Sequence, residues 1–405
     1  MIYDAIIVGA GPSGTSAALF AHRFGLNCIL IDKAVFPRDK ICGDAISGKG
    51  IRVLRELNLL DEIALLDGSE INRITFGSPS NKKFDINLTS AKDDNKIKKG
   101  YVIPRKIFDN FMFEKANEVI ETRQGFTAKE ILRNNNEICG IVGSVKGNPD
   151  EEIYAPIILG CDGYNSIVAR RLGLYEMDIN NTSIAIRCYY EGVKGLSDQI
   201  ELHYVKEVNP GYFWLFPAGD GLVNVGIGLS KADMKKESRS LVHILDEVIK
   251  SDYFKERFSD AKQLEKPIGW NLPVGSKRRK NHGNGFILLG DAAGLVDPFT
   301  GEGIGNAMLS SKYAMEIVAK AKNFNDYSKK TLSEYDAKLW GEIGPELKTS
   351  TKLQKMARSQ FILNFIISRA ARNEEVQNMI SGMMSNDISK DELTGPSFYF
   401  KILFS

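Results

Sequence analysis

Residues 3–32 read YDAIIVGAGPSGTSAALFAHRFGLNCILID, and this stretch decides the fold. Its first seven residues, YDAIIVG, have the length and apolar run of a short buried parallel strand. Residues 14–25 space Ala17, Ala18, Ala21 and Phe24 so that they can line a packed face, which predicts a helix. Residues 27–32 predict the next buried strand. The three pieces form one β-α-β unit of about thirty residues, as a Rossmann half requires. Between strand and helix lies Gly9-Ala10-Gly11-Pro12-Ser13-Gly14, a full G-x-G-x-x-G. In such a turn Gly9 permits the bend, Gly11 lets a pyrophosphate approach the backbone, and Gly14 lets helix and strand pack closely. The phosphates then meet unpaired N–H groups at the helix start. Asp32 ends the second strand, where a carboxylate can accept hydrogen bonds from ribose hydroxyls. That acid points to FAD or NAD in the slot rather than NADP.

The rest of the chain narrows the class. Its 405 residues are 43% hydrophobic and 26% charged, which suits a globular protein of two or three domains. Lys+Arg number 53 and Asp+Glu 51, so the formal charge of +2 carries no footprint for nucleic acid. Cysteines 28, 42, 139, 161 and 188 are widely spread without a C-x-x-C pair. This argues against a disulfide scaffold or a cysteine zinc site and fits a reducing compartment. The four histidines are too scattered for a local metal motif, so no metal is expected. Met1 to Val8 runs into the glycine turn without a basic leader, and no stretch reaches the roughly 18–20 apolar residues that span a bilayer. A cytoplasmic enzyme is expected, in solution or lying on the inner face of the membrane.

Residues 286–305, FILLGDAAGLVDPFTGEGIG, favour FAD over NAD. A buried strand from Phe286 to Leu289 runs into Gly290-Asp291, then a loop with Pro298 and a second glycine cluster, Gly301 and Gly303. A helix follows from about Gly303. Asp291 at a strand end can accept from a polyol, and the helix start can aim N–H groups at a developing anion. A reduced flavin is such an anion.

With these motifs in view the chain resembles the para-hydroxybenzoate hydroxylase superfamily of flavoproteins, and within it the geranylgeranyl reductase family. The superfamily resemblance covers roughly residues 1–320. It rests on the glycine turn with Asp32, on Cys161-Asp162-Gly163, and on Gly290-Asp291. A fourth element, Arg105 with Phe108 and Asp109, matches R-x-x-F-D-x-x-L except for Met112 in the last apolar place. The resemblance implies that Arg105 reaches the ribityl–phosphate region; otherwise it is a surface charge at a helix start. It implies that Asp162 lies near the pyrophosphate, a place compatible with capping the helix from Ser166.

Two further motifs resemble the reductase branch. Phe36-Pro37-Arg38-Asp39-Lys40-Ile41-Cys42-Gly43 is similar to its P-x-x-x-x-C-G element, whose cysteine lies beside the flavin ring. Cys42 is therefore the candidate catalytic residue, either as a general acid or by shaping the pocket. Pro210-Gly211-Tyr212-Phe213-Trp214-Leu215-Phe216-Pro217 is similar to its Y-x-W-x-F-P element. On a strand Tyr212, Trp214 and Phe216 share one face, either as core or as an aromatic wall for an apolar substrate. Glu302 stands where many relatives have glycine, as a pocket acid or a solvent-facing residue.

The expected architecture is α/β (α+β overall). A Rossmann-like FAD-binding domain spans 1–71, 100–175 and 276–325. A β-sheet substrate domain spans 72–99 and 176–275, and a helical C-terminal region spans 326–405. The charge run Lys92 to Lys99 reads as a solvated turn. The C-terminal region mixes Leu353, Met356, Phe361, Ile362, Phe365, Ile366 and Ile367 with basic residues and ends in FYFKILF. It reads as a cap over the substrate pocket or as an amphipathic surface that docks on a membrane.

The residues expected to hold FAD, without a covalent link, are Gly9, Gly11, Pro12, Ser13, Gly14, Asp32, Lys33, Cys42, Gly43, Arg105, Asp162, Gly163, Gly290, Asp291, Pro298, Gly301, Gly303 and Ile304. Those expected to meet substrate are Tyr212, Trp214 and Phe216. The activity implied by the resemblance is reduction of C=C bonds in an apolar isoprenoid-type substrate, with NAD(P)H reducing the flavin. The alternative is a flavin monooxygenase or halogenase acting on an aromatic or polyketide-like compound. The halogenases' W-x-W-x-I-P element departs here at Tyr212 and Phe216.

Overall fold

The computed structural model describes residues 2–88 and 99–373. The opening apolar run forms the strand Ala5–Val8, buried throughout. It pairs in parallel with Cys28–Asp32 on one side and Ile158–Gly160 on the other. Isoleucine-rich strands of this kind suit a sheet covered on both faces. The six-stranded sheet runs in the order His282–Gly283, Phe286–Leu288, Ile158–Gly160, Ala5–Val8, Cys28–Asp32, Glu121–Gln124. Its pairings are parallel except at the short His282–Gly283 edge.

The intervening helix runs Pro12–Arg23, so it begins and ends two residues earlier than the spacing predicts. Ala17, Ala18 and Ala21 are buried as expected, but Phe24 is not. It follows the last helical residue and is 37% exposed, while Phe20, one turn earlier, takes the buried place. Against this helix lies the long helix Ile304–Phe324, whose Ser311 Oγ donates to Ser13 O at 2.6 Å.

The second large sheet has eight strands. Thr182–Glu191 pairs with Lys262–Gln263, Ile268–Pro273 and Leu222–Ser230. From Leu222–Ser230 the order continues through Tyr212–Pro217, Gln199–His203 and Arg73–Gly77 to Lys83–Asn87. Its pairings are antiparallel except Gln199–His203 with Arg73–Gly77. Period-two alternation divides its side chains between two cores. On Tyr212–Pro217, Phe213 and Leu215 pack with Ile244, Leu245 and Val248 of the helix Leu241–Lys250. Tyr212, Trp214 and Phe216 pack on the opposite side.

The C-terminal helices are Lys329–Met356 and Gln360–Ala370. Leu332, Tyr335, Leu339, Ile343 and Leu347 join the core of the parallel sheet. Ala357, Leu363, Ile367 and Ala370 close over the eight-stranded sheet. The FYFKILF segment and Lys92 to Lys98 lie outside the described residues.

Candidate active site

The carboxyl ends of the parallel strands open into a cavity of about 860 Å³. At one end stands the glycine turn. Gly9 has φ +100°, and a Cβ there would meet Cys161 O at 2.6 Å. A Cβ on Gly14 would fall 1.7 Å from Gly9 O, so this glycine sets the closeness of helix to strand. Gly11 differs: the nearest atom to its Cβ position is Arg38 Nη2 at 3.6 Å, so a larger side chain would grow into the cavity. The helix Pro12–Arg23 has no side-chain cap at its start, leaving its first N–H groups open to an anion. Asp32 braces the turn, Oδ2 accepting from Ala10 N at 2.6 Å and Oδ1 from Ala34 N at 2.7 Å. Asp32, Lys33, Pro12 and Ser13 all line the cavity.

Two guanidiniums share one carboxylate beside this turn. Arg105 opens the helix Arg105–Asn117, is buried, and donates to Asp109 at 2.6 and 2.7 Å. Arg38 donates to the same Asp109 at 2.5 Å. Two positive charges against one negative leave net attraction for a phosphate. Lys40 adds to it, its Nζ 3.8 Å from the Trp270 ring centroid. Burial drops the Lys40 pKa to about 8. Asp162 caps the helix Ile167–Arg171, Oδ2 accepting from Ile167 N at 2.6 Å and Val168 N at 3.1 Å. Its Oδ1 is buried without a partner among the described residues. Asp291 lines the cavity, and burial pushes its carboxyl up against the pull of Lys40, Arg105 and Arg279.

At the other end Tyr212, Trp214 and Phe216 form a continuous wall, with successive ring centroids 5.9 and 6.2 Å apart. The chamber continues past Ile74, Ile200, Leu202 and Leu272 of the eight-stranded sheet. Between the two ends sit Cys42 and Gly43; a Cβ on Gly43 would touch the Phe216 ring at 3.1 Å. Burial pushes the Cys42 thiol up, so it is held protonated. Pro298, Gly301, Gly303 and Ile304 close the wall at the start of the long helix.

A family described as "FAD binding domain" matches residues 2–337. Digeranylgeranylglycerophospholipid reductase 1 of Methanococcoides burtonii is 32% identical, over 85% of this chain and 81% of that protein. The chain belongs to the geranylgeranyl reductase family of FAD-dependent oxidoreductases. The digeranylgeranylglycerophospholipid reductase of Methanocaldococcus jannaschii is 30% identical over 88% of both chains. A solved geranylgeranyl bacteriochlorophyll reductase-like protein of Thermoplasma acidophilum superposes with a TM-score of 0.82 at 23% identity, covering 97% of this chain and 98% of that one. A flavin-dependent brominase gives 0.79 at 19% identity, covering 99% of both chains. At such identities the likeness is one of fold.

The residues present fit FAD. The Gly11 edge is open, the adjoining helix start is uncapped, and two arginines stand beside it. Gly9, Gly11, Arg105, Gly163 and Asp291 could hold the cofactor along one wall. Gly14 and Gly290 do not reach that wall; they serve the backbone, Gly290 with φ +55° under Ala307 and Ser13. Arg105 is a buried charge and not a surface one. Glu302 is half-buried on the cavity wall. Its Oε1 accepts from Gly305 N at 3.1 Å, and Ser47 Oγ donates to its Oε2.

Sequence reasoning gave no site role to three neighbours, although it used Lys40 as a flank of Cys42. Arg38 and Lys40 lie inside the P-x-x-x-x-C-G motif, where charge next to a glycine turn was a usable signal. Asp44 directly follows Gly43, but its partners come from remote strands.

Proposed function

We propose that this protein reduces carbon–carbon double bonds of an apolar isoprenoid-type chain, using non-covalently bound FAD and electrons from NAD(P)H. The observation that carries this reading is the continuity of the cavity, from a phosphate cradle at Gly11 to an aromatic and aliphatic chamber at Trp214 and Leu202. When bound, FAD supplies the hydride and passes on the electrons of the nicotinamide. The chain supplies the rest. Gly9, Gly11 and Gly163 let the pyrophosphate approach, Arg38 and Arg105 offset its charge, and Asp32 and Asp291 accept from sugar and ribityl hydroxyls. The N-terminus of Ile304–Phe324, on the cavity wall, would favour negative charge on the bound cofactor. Tyr212, Trp214 and Phe216 hold the prenyl chain and keep water away from the reacting carbons, with Cys42 beside them as a protonated thiol that shapes the pocket.

The names of the curated relatives extend the reading to a prenyl chain carried on a lipid. No described helix is long and apolar enough to cross a membrane. A lipid substrate then calls for peripheral contact with the inner face of the membrane from the cytoplasm. The helix Gln360–Ala370 offers it: Phe361 is 79% exposed, Phe361 and Phe365 stack at 6.5 Å, and Arg369 lies over Phe365.

The test is anaerobic. Protein whose flavin has been reduced with dithionite is mixed with a digeranylgeranyl lipid in detergent. Reoxidation of the flavin with saturation of the prenyl chain is the expected result. No reoxidation by any prenyl compound, together with aromatic-stimulated oxygen uptake, would place the protein with the monooxygenases and halogenases.

A further inference from the structure

Saturating an isolated double bond needs a proton as well as a hydride, and the cavity offers several carboxyl groups. Asp32 has both oxygens engaged by backbone N–H groups. Both oxygens of Glu302 are engaged, by Gly305 N and Ser47 Oγ. Asp162 and Asp297 each have one bare oxygen, but the other caps local backbone, at Ile167–Val168 and at Phe299–Thr300. Asp291 lies with Lys40 and Arg105 at the cofactor end.

Asp44 is built differently. It is fully buried, has φ +65°, and lines the cavity directly after Cys42 and Gly43. Its Oδ2 accepts from Tyr189 OH at 2.5 Å and from Asn224 Nδ2 at 2.7 Å. Asn224 also donates to Cys42 O at 2.8 Å and accepts from Trp214 Nε1 at 2.9 Å. One amide thereby ties the carboxyl to the cysteine on one side and to the aromatic wall on the other. The Asp44 Oδ1 has no partner among the described residues. Leaving a buried acceptor unpaired costs about 1–3 kcal/mol; Asp162 and Asp297 share that feature, but at Asp44 the second oxygen is held by the Tyr189 and Asn224 side chains and caps no local backbone.

Resting on the reductase reading above, we propose that Asp44 is the proton donor of the reaction, protonated on the oxygen that Tyr189 and Asn224 leave free. One alkene carbon gains the hydride that the reduced cofactor supplies, and the other gains the Asp44 proton. The π bond is replaced by two C–H bonds, the alkene gains two electrons, and the cofactor loses them. Asp44 is left as a carboxylate, which Tyr189 and Asn224 stabilise until solvent returns the proton. The groups around it are Tyr189, Arg187, Arg105 and Cys42, with Arg187 itself paired to Asp39 and Glu265. Burial outweighs these donors and cations and raises the Asp44 pKa to about 6, so near neutral pH the carboxyl can both give and regain a proton.

The experiment uses FAD-loaded protein reduced with dithionite and mixed anaerobically with a digeranylgeranyl lipid. Asp44→Asn is expected to keep its FAD and to slow reoxidation by about 10²–10⁴-fold, the usual weight of a general acid. Tyr189→Phe removes a donor to the carboxylate, which raises the Asp44 pKa. The basic limb of its pH–rate profile is therefore expected to move to higher pH. Infrared spectra of the oxidised protein give a readout without turnover. At about pH 5, above the ordinary aspartate range and below the Asp44 pKa of about 6, a carboxylic C=O band present in wild type and missing in Asp44→Asn is expected. Wild-type reoxidation in Asp44→Asn, an unshifted limb in Tyr189→Phe, or no Asp44-dependent band overturns the assignment and leaves the reductase reading standing. A wild-type protein that no prenyl compound reoxidises overturns both.

Discussion

Gly11 and Gly14 stand three residues apart and do opposite work. The Gly14 Cβ position lies 1.7 Å from Gly9 O, a backbone atom that cannot move aside, so Gly14→Ala is expected to lose more than about 4 kcal/mol of stability or to fail to fold. The Gly11 Cβ position meets only Arg38 Nη2, at 3.6 Å. Gly11→Val is therefore expected to fold with an unchanged urea midpoint in the apo state and to bind no FAD. Flavin absorbance per protein and circular dichroism of both variants check this; stoichiometric FAD in Gly11→Val would refute the cradle. The close packing at Gly14 and the open edge at Gly11 were legible in the sequence because a short turn carries its own geometry in its spacing. Asp44 was not legible. Its meaning depends on Tyr189, 145 residues along the chain, and on Asn224, 180 residues along, and no local pattern announces such partners.

At the scale of elements, alternation announced the strand Tyr212–Pro217 and its two faces, because period two survives without knowledge of the neighbours. Strand order did not follow from it. The parallel pairing of Gln199–His203 with Arg73–Gly77 joins segments far apart in the chain and carries no turn signal. That strand also holds a buried charge network absent from the sequence reading. Glu201 accepts from His203 Nε2 at 2.7 Å and from Arg257 at 2.7 and 2.8 Å. Burial pushes the Glu201 carboxyl up, but its hydrogen bonds with His203 and Arg257 outweigh burial and hold it at about 2. Burial keeps His203 below its ordinary 6.5 despite Glu201. The signs agree. Below pH 6.5 the unfolded chain protonates this histidine more readily than the folded one, so stability drops as the pH is lowered. The Glu201 contribution is present above the ordinary 4.5 and is lost as pH falls toward 2. Urea midpoints are expected to fall steadily from about pH 7 to pH 4. Arg257→Ala leaves the buried carboxylate with His203 and Gln199 but no guanidinium, so it is expected to cost about 3 kcal/mol at neutral pH. A pH-independent midpoint, or a neutral Arg257→Ala, would show that the network is dispensable.

For the whole molecule, fold and function part company. The same architecture superposes on a brominase and on a geranylgeranyl bacteriochlorophyll reductase-like protein, so chemistry has to be argued from the site and from the surface that delivers substrate to it. The surface proposed for that delivery is the outer side of Gln360–Ala370. The inner side, Leu363, Ile367 and Ala370, is held by the eight-stranded sheet, and Ser80 N donates to Asn364 Oδ1 at 2.9 Å, which fixes the helix against a hairpin of that sheet. With the inner side occupied, Phe361 in the first turn is turned outward and stacks on Phe365; Arg369 in the last turn lies over Phe365, and Arg372 follows the helix. An exposed aromatic beside cations is the composition that partitions into an anionic interface. Burying a phenylalanine fully is worth about 1.5–3 kcal/mol, and each cation near an anionic surface about 1 kcal/mol. Phe361→Ser is therefore expected to weaken co-sedimentation with phosphatidylglycerol vesicles roughly tenfold, and Arg369→Glu with Arg372→Glu to abolish it at low salt. Neither change touches the cavity wall, so turnover of a detergent-dispersed prenyl lipid should stay at the wild-type level while turnover of the same lipid in vesicles falls. Equal losses in detergent and in vesicles would place this helix in the catalytic unit as a cap. Unchanged vesicle binding in both variants would send the search for the docking face elsewhere on the molecule.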